Sequence, residues 1–412
     1  MSQTLSPAID LTDRELLRRV AQLRRTNNWT GWLYLLREYL FLAIVIGLTV
    51  AWCEFLWFEG WSLAWGAPAL FLCIVCVGAG QHRLATLTHE AAHYMLFKNR
   101  LLNELVSEWF CMFPILGTTH PYRVQHLGHH QYPNDPERDP DWTQMRLSGH
   151  RYRFPMSAGR FVWECCIKQA LWWPSLLRYV AVRAFFKPNG PVGSPYHMKR
   201  RAAKAVVFFS LAYLAGLIGS LTYLAWNEET ALLAWVPVGF LAVGLMFFLL
   251  VPDRWLTEYS IKSDIPTRWQ NMMRLTFYTL LSATIAGLTV WTGRPVWFYF
   301  FLLWLVPLGT SFSFYMILRQ IVQHGNADQA RFTNTRVFHV HPLISMSVFP
   351  IGNDYHLPHH LFPMVPHYNL RKLHAMLMEA EEYRTGAILV EGYFFPPKEP
   401  REHPTVVDLM TR

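Results

Sequence analysis

The sequence predicts an all-α integral membrane protein, with four to six transmembrane helices paired in hairpins and a cytoplasmic helical cap, and three observations predict it. Of 412 residues, 52% are hydrophobic and only 16% charged, against about 25% charged in a soluble domain. Apolar runs at 36–58, 203–226, 231–251 and 296–318 are long enough to cross a bilayer, and 62–80 and 275–292 are shorter candidates. Three histidine boxes adjoin these runs: His89-Glu90-Ala91-Ala92-His93, His126-Leu127-Gly128-His129-His130 and His356-Leu357-Pro358-His359-His360. They place a metal site in the cap.

Taken in order, residues 1–35 form a basic segment with Arg14, Arg18, Arg19, Arg24 and Arg25. No cleavable signal peptide is expected, because the start is polar and the apolar run from Leu36 is too long for one. The six runs pair through short turns near Glu59-Gly60, at 227–230 and at 293–295, where Arg294 is the sole basic residue. With the arginine-rich head inside, the positive-inside rule puts the remaining Lys and Arg, and so the net charge of +9, at the cytoplasmic face. That charge suits anionic headgroups and acidic soluble partners rather than nucleic acid.

The first cytoplasmic region, 81–202, carries two boxes. Residues 81–100 are expected to continue the second run as a helix leaving the bilayer. The run 105–117 is too short for a span and reads as a buried or re-entrant helix. Between 160 and 186, Phe161, Trp163, Leu171, Trp172, Trp173 and Leu177 mix with Lys168, Arg178 and Arg183, the pattern of a helix lying in the membrane interface. The second cytoplasmic region, 319–412, carries the third box and a tail after Tyr393, rich in Pro and charge (Pro396, Pro397, Lys398, Glu399, Pro400), that reads as peripheral. No linker or repeat divides the chain, so it is expected to be one integrated unit. Of six cysteines, Cys73 and Cys76 form a CxxC inside an apolar run without a second pair; this reads as packing, and no disulfide is expected.

On a helix, positions i, i+3 and i+4 share a face, so each box aims two or three imidazoles at one point. The hairpins put all three boxes on one side, where they can meet. HEAAH alone matches the HExxH zinc-protease signature, but that reading leaves the other boxes unexplained. A transporter would hold its ligands near mid-bilayer, whereas these lie just past span ends. Eight histidines exceed the four ligands of one zinc and suit two metals. A His-rich, carboxylate-poor pair of sites favours iron and dioxygen chemistry.

The order HxxxH, HxxHH and a late HxxHH resembles the membrane fatty acid desaturase family, over roughly residues 36–374. The resemblance implies a non-haem di-iron centre, two Fe ions held by His89, His93, His126, His129, His130, His356, His359 and His360, with dioxygen as co-substrate. It also implies a ligand from the end of the last span, where Gln320 and His324 have the family's spacing. His324 joins the set as its ninth histidine. Gln320 stands where the family pattern has Asn, and is expected to hold the metal or a water. Carboxylates beside the boxes are candidates to fix ring tautomers, Glu90 and Asp354 first; Asp135, Glu137, Asp139 and Asp141 follow, unless their loop is merely solvated.

The implied reaction is desaturation of a fatty acid or lipid acyl chain with external electrons. The same centre could support hydroxylation of acyl, alkane or carotenoid substrates, or oxidative decarboxylation of a fatty acid to a terminal alkene. A catalytically silent metal-binding membrane protein is the rival of another class. No His-Pro pair continues into the Gly-Gly of fused b-type cytochromes, so a separate ferredoxin, rubredoxin or small cytochrome, with its reductase, is expected to deliver electrons at the basic face.

Overall fold

In the computed structural model, residues 11–186, 188–397, 400 and 402–411 are described. Six helices among them are long and apolar enough to cross a membrane: Thr30–Phe58, Leu63–Ala92, Lys204–Trp226, Thr230–Leu250, Thr267–Thr292 and Val296–His324. Both shorter candidate runs therefore resolve to full-length helices. Their hydropathy signal was short because each helix extends into polar sequence, the second through buried Gln81 to Ala92 and the fifth from Thr267, Arg268 and Gln270. The predicted turns join the helices in three hairpins. Gly60 and Gly293 take φ of +66° and +62° there, a left-handed turn that suits glycine.

Two groups of helices result. The first two spans pack with the last, and the third, fourth and fifth pack together. Gly78 allows the second span to approach the last closely: a Cβ there would lie 2.6 Å from the Phe312 backbone nitrogen. This contact brings together the helix ends that carry His89 and His324.

Between the hairpins, Arg100–Ser107 continues into a π turn at Glu108–Met112, buried as the sequence suggested. Residues 158–186 form a broken helix, interrupted at Trp172-Trp173-Pro174. Phe161, Cys165 and Leu176 face the core, while Trp163, Leu171, Trp172, Trp173 and Phe185 are exposed. Short strands complete the fold, Met198–Arg200 antiparallel to Glu258–Tyr259 and Val337–His339 parallel to Leu389–Glu391.

The tail departs from expectation. Lys398 and Glu399 lie outside the described residues, but helix Val406–Thr411 buries Val406 and Met410 in the main core. The Met156 N–H donates to the Met410 carbonyl at 3.0 Å. At the other end, helix Arg14–Leu23 packs Leu16 and Val20 against Leu370, Leu373 and Leu377 of the C-terminal region.

Candidate metal centre

Four helix ends converge on one place. His89 lies in the last turn of the second span and His93 at its C-cap. His126, His129 and His130 sit on helix Thr119–Gln131, His324 ends the last span, and His356, His359 and His360 sit on helix His356–Leu361. In each case a histidine occupies the helix's last turn, where unpaired carbonyls make the surroundings favourable for positive charge.

The nine rings form two groups. His89, His93, His126, His130 and His359 make one, and His129, His324, His356 and His360 the other; within each group the potential ligand atoms lie within 4.8 Å of one another. In the first, His93 Nε2 is 2.8 Å from His126 Nε2, which is 3.1 Å from His130 Nε2, itself 3.1 Å from that of His359. In the second, His324 and His360 bring Nε2 to 3.0 and 3.1 Å from His356 Nε2. His130 and His360 stack across the two groups with centroids 4.4 Å apart.

Polar partners fix which nitrogen faces inward. His129 Nδ1 lies 2.8 Å from Asp139, His89 Nδ1 3.3 Å from Glu90, and His324 Nδ1 3.1 Å from the Asn134 side-chain oxygen. If each Nδ1 donates, each Nε2 presents a lone pair to the cluster. His89 Nε2 and His129 Nε2 are buried with no hydrogen-bond partner. Burial, reinforced by neighbouring histidines, holds His126, His130, His356, His359 and His360 well below the usual imidazole range, so these rings are neutral. His129 moves the other way: burial lowers its basicity, but the Asp139 carboxylate outweighs it.

Each of these Nε2 pairs is either an N–H···N hydrogen bond or, with both Nε2 atoms unprotonated, two lone pairs at about 3 Å that repel unless a cation lies between them. A metal–imidazole bond of about 2.1 Å puts neighbouring octahedral ligands about 3 Å apart, so the residues fit metal ions. Glu90 has other duties than activating water, since it also accepts from the His367 backbone N–H at 2.8 Å. HEAAH is thus woven into the five-ring group, which counts against its reading as an isolated protease motif.

The remaining sequence candidates fall as follows. Gln320 is half-buried and lines a narrow cavity that adjoins both groups. Asp354 does not reach a box histidine; its carboxylate accepts from Ser345 at 3.4 Å, because the turn before His356 points it away from the rings. Asp139, by contrast, lies 2.8 Å from His129 Nδ1. The loop carrying Asp139 is no solvated excursion, as Asn134 and Asp139 are both buried. Asn134 also donates to the Asp328 and Asn334 carbonyls, which anchors it beneath His324.

Behind the rings, Arg123 ties two ligand helices together. Its guanidinium donates to the Ala91 and Ala92 carbonyls at 2.8 and 3.0 Å and to Glu104 at 2.9 Å, all fully buried. Asn134, Arg123 and Glu104 were not singled out from sequence, since each acts through a partner distant in the chain.

A profile of fatty acid desaturases matches residues 66–251 and 231–390, taking in every segment that carries the nine histidines. The chain belongs to the fatty acid desaturase family. Among similar proteins is a dihydrorhizobitoxine desaturase of Bradyrhizobium elkanii, 31% identical over 137 residues, 33% of this chain and 35% of the relative. Another is an sn-1 oleoyl-lipid 12-desaturase of Anabaena variabilis, 25% identical over 212 residues, 50% of this chain and 55% of the relative. The aligned stretches thus span about a third and about half of these relatives. Six apolar helices and the family together make this chain a multi-pass membrane protein, and its histidine clusters are consistent with a non-haem metal site.

Proposed function

We propose that this desaturase-family chain is a membrane di-iron oxidoreductase that uses dioxygen and external electrons to introduce a double bond into the acyl chain of a fatty acid or lipid. The observation that carries the reading is the convergence of nine histidines, in groups of five and four, at the ends of four helices. Each group would hold one iron. Gln320 is positioned on the cavity wall, where it would bind a water or the metal rather than complete either ring set. When bound, iron supplies the oxidising power to remove hydrogen from unactivated C–H bonds.

The protein's own contribution is to hold the rings and shape the cavity. Glu90, Asp139 and Asn134 fix ring orientation, which raises ligand basicity and excludes wrong tautomers. Met145, Met316 and Tyr122 line the cavity beside the histidines and would hold apolar substrate away from water. We further propose that the chain acts as one unit, with the metal centre at the cytoplasmic face. There the basic surface would dock a ferredoxin, rubredoxin or small cytochrome as electron donor.

The test is metal content of the purified protein together with mass spectrometry of lipids from expressing cells. Two irons per chain, and a product lighter by two hydrogens, are expected. A product heavier by one oxygen would make the enzyme a hydroxylase. One zinc without iron would overturn the di-iron reading.

A further inference from the structure

We infer that the cavity beside the metal centre receives an anionic end of the substrate, a carboxylate or phosphate oxygen group, on Arg319. The inference rests on the reading of this cavity as the substrate site, and it names the chemical class of that substrate.

Arg319 lies in the last membrane helix, one residue before Gln320, and is only 8% exposed. It lines the same cavity as His89, His129 and His324. Its Nε is buried without a hydrogen-bond partner. The other deeply buried arginines differ. Arg83 pairs with Glu38, Arg123 with Glu104, and Arg336 donates to the carbonyls of Val322, Gly325 and Asn326. A buried donor left without an acceptor is costly, and this one lies on a cation whose side chain lines the cavity.

The surroundings agree. Arg183 lines the cavity too, with its guanidinium 5.4 Å from the Phe312 ring and no carboxylate partner among the described residues. The one acidic side chain in the wall, Asp141, accepts from Gln125 at 2.8 Å. Two cations therefore face one engaged carboxylate, and bound metal would add further positive charge. Arg183 belongs to the broken helix whose outer face exposes Trp172, Trp173 and Phe185. An amphiphile at the membrane interface would thus meet a cationic group on entering. A planar guanidinium binds a carboxylate or phosphate through paired, charge-assisted hydrogen bonds.

The experiment uses the full chain as isolated, in phosphatidylcholine nanodiscs, with its metal content recorded and binding measured for laurate, dodecyl phosphate and methyl laurate. At least one anion is expected to bind about tenfold or more tightly than the ester, the effect of a hydrogen bond to a charged group. Arg319→Gln should remove that preference and Arg319→Lys retain part of it. Should Arg319→Gln fail to fold, Arg183→Gln is expected to weaken the preference. A tighter laurate complex identifies a free acid, and a tighter dodecyl phosphate complex a phosphate headgroup. Equal binding of ester and anions, or a preference that survives Arg319→Gln, overturns the inference. Protein that holds two irons yet binds the ester equally well keeps the di-iron reading and loses this one; protein with the preference but no iron does the reverse.

Discussion

At His89, His129 and His324, the partner of Nδ1 decides what the other nitrogen can do. His129 is the clearest case, with Asp139 at 2.8 Å on Nδ1 and a partnerless Nε2 in the four-ring group. Asp139→Asn keeps a polar contact of similar size but loses the charge, so metal affinity should fall about 10–100-fold with the fold intact. Chelator competition followed by metal analysis reads this directly, and unchanged affinity would remove Asp139 from the site. His129→Ala and His359→Ala should each abolish turnover while the protein still inserts in the membrane. Near-normal product from either variant would exclude that ring as a ligand. Box spacing made eight of the nine rings legible in the sequence, and the resemblance to the desaturase family added His324. Spacing could not separate Asp354 from Asp139: adjacency to His356 favoured the first, but direction along a turn is not encoded in spacing. Asn134 was illegible because its bond to His324 spans 190 residues.

Among elements, the second span and helix Thr119–Gln131 must keep a fixed relation for His93 and His126 to meet. Arg123 holds it, donating from helix Thr119–Gln131 to the last carbonyls of the second span, while Glu104 accepts from its guanidinium. Removing one partner strands a buried charge, so Arg123→Met should cost about 3–5 kcal/mol, and Arg123→Met with Glu104→Leu should recover most of the loss. Denaturant unfolding in detergent measures both; a double variant as unstable as the single one would mean that Arg123 acts through the carbonyls rather than through the charge pair. The hairpins were readable because apolar length and short polar turns are local properties. The true lengths of the second and fifth spans were not, since buried polar residues at their ends, such as Gln81 and Gln270, look like loop by hydropathy. The tail misled for the opposite reason. Proline and charge near residue 398 obscured Val406 and Met410, whose i, i+4 spacing was the available sign of a packed helix.

Over the whole molecule, the proposed metals would join segments that four membrane helices separate in sequence. The third box sits on a helix of only six residues, His356–Leu361, far below the roughly 12–15 residues at which an isolated helix becomes even marginal. Its place depends on the strand contact before it, where Val337 pairs with Tyr355, and on whatever its three rings bind. Metal loading should therefore act as a tertiary cross-link that binds the native state alone. At a hundredfold excess over the dissociation constant, each site would contribute about 2.7 kcal/mol. Spread over the unfolding entropy of a chain this long, that is about 3 °C in the thermal midpoint per site. Stripping metal with a chelator should lower the midpoint in proportion, by about 6 °C if both sites empty, and readdition of ferrous iron should restore it. In His359→Ala, which disables the five-ring group, the chelator-induced drop should shrink to about half. A midpoint indifferent to chelator in protein shown to have lost its metal would mean that the nine histidines are held in place by packing alone.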